Sequence, residues 1–246
     1  MSRDFETGSS QSLDSATVPV TDQPCTFSAW VKPESVGFLQ TIVGIFDSGT
    51  ANNFHLMSIT GANGIAASSA AGGATATAVT AATVSAGVWA HACTTFGPTA
   101  GVDRVAYLNG GNRVQNTTNR VPTGVDRLSV GRNGGSGSGT FFDGLISHLA
   151  IWNVQLADGE IAGLGRGVHP LLVRPGSIVG YWPLWGISSP EQDYTRNGND
   201  LTVTGATQAA DEGPVSVLFG NIAVPYIVSA QRIFQQPCNH QNPGML

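Results

Sequence analysis

The sequence predicts an all-β fold: a two-sheet antiparallel jelly-roll sandwich with one short helix and a C-terminal arm. Three observations carry this. Gly contributes 32 of 246 residues and only 11% are charged, a composition of short strands joined by tight turns. Apolar residues recur with a period of two in run after run. No strand–helix–strand alternation appears, which argues against a parallel sheet and leaves a sandwich as the way to bury about a dozen one-faced strands. A 41% apolar content is enough for a sizeable core.

In order along the chain, residues 5–20 read as an edge segment. Residues 26–32, TFSAWVK, alternate, with Phe27, Ala29 and Val31 on one face and Ser28, Trp30 and Lys32 on the other. Pro33 stops that strand. Residues 38–47 form the next, closed by the turn Asp47-Ser48-Gly49. Residues 53–60 and 65–70 pair across Gly61-Ala62-Asn63-Gly64, a hairpin signal. Residues 65–87 are almost all Ala, Gly, Ser, Thr and Val and read as a flat strand pair facing water or a neighbour, without the edge charges that discourage association. Residues 88–97 place Val88, Ala90, Ala92 and Thr94 opposite Trp89, His91, Cys93 and Thr95. Residues 103–109 turn tightly at Asn109-Gly110-Gly111-Asn112. Residues 126–131 follow, then a glycine loop at 132–139.

The stretch TFFDGLISHLAIWNVQLADGEIAGL, residues 140–164, reads as a closing strand that ends at Trp152, followed by a short helix. Asp158 and Glu160 fall at the start of that helix, where acidic groups complement its dipole. Residues 177–183 and 199–203 are two further strands. The domain spans 1–213 and an arm spans 214–246.

Taken together these segments resemble the concanavalin A-like lectin/glucanase superfamily, with laminin-G-like and pentraxin-like jelly rolls as the nearest pattern. Phe27-Ser28-Ala29-Trp30-Val31-Lys32-Pro33-Glu34 is similar to the "(F/I)SAWVKP(D/E)" strand. Val88-Trp89-Ala90-His91 is similar to "WxH(V/L)A", and Val105–Gly110 to "xxYxNG". The 140–164 stretch resembles "FxGxIDEVRIWNRALSxxEI". Gly180-Tyr181-Trp182-Pro183-Leu184, with Asp193 and Asn197-Gly198-Asn199, resembles "YWPLxE…D.SGNGNxL". Two departures matter. Ser147-His148 replaces an Asp-Glu pair, and Gly186 stands where many members carry Glu. Both remove acidic groups, so a calcium site implied by the resemblance loses two of its supports.

Chemistry is sparse. A retaining glucanase needs paired carboxylates ~5–5.5 Å apart, and no alternating acidic strand pattern supplies them, so the chain is expected not to be an enzyme. Asp158/Glu160 and Glu191/Asp193 read as structural. The five histidines and three cysteines show no metal-pair or nucleophile spacing. His91 and His148 read as near-core groups, and Cys25 and Cys93 as buried thiols. No cofactor is expected except possible calcium, whose oxygen ligands would come from Asp47, Asp103, Asn109, Asp126 and Asp143. Glycan contacts would come from Phe38, Tyr107, Trp185 and Tyr194.

Net charge is −5 with 11 scattered basic residues, which excludes nucleic acid as a partner. No run reaches the ~18–20 apolar residues of a membrane span, and the N-terminal stretch lacks the apolar core of a secretory signal. Leu218, Phe219, Ile222, Val224, Tyr226, Ile227, Ile233 and Phe234 form an apolar arm, and such a surface marks an interface. It either packs on its own sandwich or docks on another chain. The sequence reading therefore favours a non-enzymatic bacteriophage virion protein, a capsid decoration or tail-associated oligomer with capsid or tail partners, made in the host cytoplasm. A carbohydrate-binding lectin module is the alternative.

Overall fold

The computed structural model describes residues 1–97, 104–135, 139–186 and 188–215, and the backbone of 218–219 and 222–223. Its strands are β1 (Ser2–Phe5), β2 (Ser12–Ser15), β3 (Cys25–Pro33), β4 (Gln40–Phe46), β5 (Phe54–Ile59), β6 (Gly64–Ala71), β7 (Ala74–Thr83) and β8 (Ala90–Phe96). Next come β9 (Arg104–Leu108), β10 (Gly111–Asn116), β11 (Arg127–Val130), β12 (Gly144–Trp152), β13 (Ile178–Trp182), β14 (Thr202–Thr204) and β15 (Thr207–Ala209). A two-stranded hairpin, β16 (Leu218–Phe219) with β17 (Ile222–Ala223), stands apart from both sheets. Helix α1 covers Asp158–Leu164.

One sheet has eight strands, in the order β10-β9-β8-β3-β12-β1-β15, with β13 also paired to β12. The other has seven, in the order β14-β2-β11-β4-β5-β6-β7. The strand pairs are antiparallel, as the alternating pattern requires. Phe27, Ala29 and Val31 of β3 enter the core between the sheets, with Ile42, Val43 and Ile45 of β4 and Leu149 and Ile151 of β12. A second cluster on the outer face of the eight-stranded sheet packs Trp152 and Tyr181 against Ile161 and Leu164 of α1.

β12 organises the larger sheet. β3 runs along one side of it, and β1 and β13 share the other, opposite Gly144–Ile146 and Leu149–Trp152 respectively. Between those halves the register to β3 slips. His148 takes the slip with φ 51°, a left-handed value that costs energy away from glycine. Its N–H donates to Pro183 O at 3.1 Å.

Two expectations change. The 5–20 segment is not an edge. Its strand β2 lies between β14 and β11, and β1, which ends where the segment begins, lies between β12 and β15; neighbours satisfy the polar Asp14 of β2, which accepts from Ser129 Oγ at 2.6 Å and Arg132 Nε at 3.0 Å. In the Ala/Ser/Thr stretch, β6 is buried almost throughout and only β7 is an edge. Ser69 of β6 meets His55 Nδ1 at 2.8 Å and Ser68 meets Thr77 at 2.9 Å. These small hydroxyls find their partners on the neighbouring strands, an imidazole for Ser69 and a second hydroxyl for Ser68, and so fit a buried sheet. Two strands, β10 and β15, carry too little apolar alternation to be read from sequence.

Candidate functional site

The site grows from β13. Trp182 turns into the core and donates its indole N–H to Asn199 O at 2.9 Å. Tyr181 points to the outer face. The chain beyond then folds around Asp193, which is 8% exposed. Its Oδ1 accepts from Tyr181 N (3.1 Å), Thr195 N (2.9 Å) and Thr195 Oγ1 (2.7 Å), and its Oδ2 from Asn199 N (3.2 Å). Asp193 N in turn donates to Asp200 Oδ1 at 2.8 Å. This knot holds the flanking residues outward. The Tyr194 ring is 42% exposed and packs edge-on against Trp185 at 5.4 Å and Tyr181 at 6.4 Å. Arg196, at φ 68°, is exposed, and among the described residues its side chain makes no ion pair.

Tyr194 and Arg196 form the wall shared by two shallow clefts of about 400 Å³ each. One also has Leu171, Pro175, Ile178 and Asn197, and the other Gln192, Asp193 and Asp200. The arrangement offers an aromatic edge backed by a second ring and flanked by amide, guanidinium and carboxylate groups. It can stack on an apolar face and hydrogen-bond a polar rim, which is the usual make-up of a small-molecule site.

Behind this wall runs a directional hydrogen-bond chain. Leu171 N donates to His169 Nδ1 at 3.3 Å, which puts the proton of neutral His169 on Nε2. That nitrogen lies 3.1 Å from Tyr181 Oη, which lies 2.8 Å from His148 Nδ1. Tyr181 Oη therefore accepts from His169 Nε2 and keeps its own proton for His148 Nδ1. Burial, and then the His148 imidazole, lower the pKa of His169 to about 4. His148 Nε2 sits 3.3 Å from Glu212 Oε1. Burial would raise Glu212, but its contacts with His148 and the Met1 amine lower it to about 2.

The structure brings together two of the four aromatic candidates, Trp185 and Tyr194. Phe38 is 37% exposed beside Leu39, in the loop between β3 and β4. Tyr107 is 3% exposed. Its hydroxyl donates to Asp158 at 2.7 Å, and α1 covers it. Of the oxygen-ligand candidates, Asp47 and Asp126 share one loop cluster. Asp47 accepts from Gly49 N and Thr50 N, and Asp126 from Ser48 N and Oγ. Asp143 lies at the other end of β4, where its N–H donates to Gln40 Oε1 at 3.0 Å. Asn109 accepts from His91 N at 2.9 Å. Asp103 lies outside the described residues. For the arm, Leu218, Phe219 and Ile222 fall in the β16–β17 hairpin, while Val224, Tyr226, Ile227, Ile233 and Phe234 lie outside the described residues.

A different acidic group converges. One carboxylate oxygen each from Asp4, Glu6 and Glu34 lies within 4.8 Å of the others. Asp4 is raised by burial and by Asp143, against a backbone hydrogen bond from Phe5. Glu34 is raised by burial and then by Asp4, Glu6 and Asp143. Hard oxygen donors of this kind suit a calcium ion. The three come from β1, the turn after it and the end of β3, so linear spacing gave no signal. Arg196 and Asn197 were likewise missed, since isolated polar residues in a loop carry no pattern.

A jelly-roll sandwich with an aromatic-walled loop cleft on its flank defines a lectin-like domain. The chain belongs to the concanavalin A-like lectin/glucanases superfamily, whose family model matches residues 7–162. The Tyr194 loop lies beyond that match. Among solved structures the fold is similar to a Bacteroides ovatus protein described as a candidate carbohydrate binder, with 18% identity and a TM-score of 0.62. That likeness covers 88% of this chain and 61% of the other, so the chain spans under two thirds of that relative. It is also similar to the CBM40 of a Ruminococcus gnavus IT-sialidase bound to α2,3 sialyllactose, with 19% identity, a TM-score of 0.52, and 61% and 86% covered. A Streptococcus pneumoniae NanB sialidase gives 16% identity, a TM-score of 0.56, and 65% and 27% covered. No curated protein sequence matches. At these identities the likeness is one of fold.

Proposed function

We propose that this chain is a non-catalytic carbohydrate-binding module whose site is the Trp185–Tyr194 wall. The observation that carries this is the outward Tyr194 ring, 42% exposed in a chain that buries most of its aromatics, on the wall between two clefts. Tyr194 supplies the stacking face. Arg196, Asn197, Gln192 and Asp200 supply hydrogen bonds to sugar hydroxyls. Asp193 positions them and does not touch the sugar. The lectin-like fold and the carbohydrate-binding descriptions of two similar structures support this reading over the virion role, which none of the three similar structures reported above supports. The virion reading rests on the low charge, the Ala/Gly/Thr-rich stretch, the lack of an apolar signal core and the apolar segment after Pro214.

The test is binding of the full chain to an immobilised oligosaccharide panel, repeated with Tyr194→Ala. The side chain is at the surface, so folding should survive. We expect about a tenfold loss of affinity, equivalent to ~1.4 kcal/mol. A panel that stays silent with the unaltered chain, or binding that Tyr194→Ala leaves untouched, rules the site out.

A further inference from the structure

On the outer face of the eight-stranded sheet, His91, Trp30 and Ser147 form a lateral row across β8, β3 and β12, each directly opposite the next. The Trp30 and His91 rings lie 5.4 Å apart, and Ser28 Oγ lies 2.9 Å from His91 Nε2. The row is closed off from solvent: His91 is 1% exposed, Ser147 0% and Trp30 7%. Yet His91 Nδ1 and Ser147 Oγ have no hydrogen-bond partner among the described residues.

Residues 211–213 lie over this row. Gly213 rests on it so closely that a Cβ there would come 2.6 Å from Trp30 Cβ and 3.4 Å from Ser147 Cβ. The polar groups of the cover point to its margins. Asp211 takes Lys32 Nζ at 2.7 Å and Trp89 Nε1 at 3.1 Å, and Glu212 faces His148. The Lys32–Asp211 pair is 29% and 44% exposed. An exposed ion pair returns less than an unmade buried hydrogen bond costs. The cover therefore closes the face without satisfying it.

We propose that residues 211–213 are a displaceable strap over a second saccharide-binding face, and that a neutral sugar takes the strap's place. Lifting the strap presents one indole plate, an imidazole with a free nitrogen, and the hydroxyls of Ser28 and Ser147. It also removes both local carboxylates, Asp211 and Glu212, and leaves their partners Lys32 and the Met1 amine as cations at the margin of the neutral row. An apolar plate with neutral donors and acceptors matches a pyranose ring and its hydroxyls. The choice of a saccharide rests on the proposed function; the strap and the face under it do not.

The test uses the full chain with Asp211→Asn and Glu212→Gln, in a Tyr194→Ala background so that the first site is silent. We expect acrylamide quenching of tryptophan emission to rise, and saccharides of the same panel to bind about tenfold more tightly than to Tyr194→Ala alone. If the double replacement fails to fold, Lys32→Gln releases the Asp211 tether from the sheet side, with the same two readouts. Unchanged quenching and binding overturn the proposal, as a trapped water already satisfying the row would produce. So does raised quenching with no saccharide bound, which is the outcome for a protein partner. Failure of Tyr194→Ala to weaken the unaltered chain strikes only the first site.

Discussion

Asp4, Glu6 and Glu34 oppose one another at close range, and Lys32 eases Glu34 less than burial and the neighbouring carboxylates raise it. The raised pKa values of Asp4 and Glu34 mean that the folded state holds their protons more tightly than the unfolded one. Their contribution therefore disfavours folding at neutral pH and improves as pH falls toward the ordinary carboxylate range. Two outcomes follow at this site. Calcium in millimolar excess should raise the melting temperature of the unaltered chain and leave Glu34→Gln unmoved. Without calcium, Glu34→Gln should itself melt about 1–2 °C higher, the scale of a ~0.5 kcal/mol surface term in a chain of this size. A melting curve indifferent to calcium would remove the cluster as a cation site. Tyr107 and Tyr194 teach a related point. Both are aromatic rings with a polar tip beside turn residues, and sequence ranks them equally. One is capped by Asp158 of α1 and buried, and the other is pushed outward by the Asp193 knot.

At the scale of elements, β12 is where sequence and structure agree most closely, and also where the largest irregularity sits. Its nine residues are buried from end to end, as a central strand covered on both faces should be. Gly144 begins it at φ 126°, and a Cβ there would lie 2.4 Å from Lys32 O and 2.6 Å from Glu34 N. Backbone cannot yield as a flexible side chain can. Gly144→Ala should therefore cost about 2–4 kcal/mol, from the left-handed conformation and the clash together. Chemical denaturation measures this, and a loss below ~1 kcal/mol would show that the β3–β12 start relaxes freely. The slip at His148 has no sequence signal beyond a departure from the family pattern. Its purpose is visible in the fold, where it aims the imidazole at Tyr181 and Glu212.

Over the whole molecule, three histidines dominate the response to acid. Burial lowers His55 to about 3, with Arg104 adding to the effect, and lowers His91 to about 3; His169 falls to about 4. Below the ordinary value of 6.5 the unfolded chain takes up protons that the folded chain refuses. The stability these groups lend is complete above pH 6.5 and is lost progressively as pH falls toward 3. Glu212 acts in the same direction below pH 4.5. Asp4 and Glu34 act the other way, but both are mostly or partly solvated and their effect is the smaller. Melting temperature should fall steadily between pH 6.5 and 4. A flat profile across that window would mean that the His55 and His91 pockets admit water.

The linear order of residues by itself determined the all-β class, the strand faces of β3 and β8, the closing strand β12, the turns at Asn63-Gly64 and Asn109-Gly110, and the short helix that follows Trp152. These depend on period-two alternation and on backbone conformations few residues adopt, both local properties. Only the tertiary structure decided that Trp30 and His91 lie under residues 211–213, that Tyr194 and Trp185 share a wall, and that Asp4, Glu6 and Glu34 meet. The first and last of those facts join segments far apart in the chain, and the second depends on how the Asp193 knot folds the loop after β13. Which of two similar side chains is covered depends on what the rest of the fold lays over it, and no local pattern encodes that.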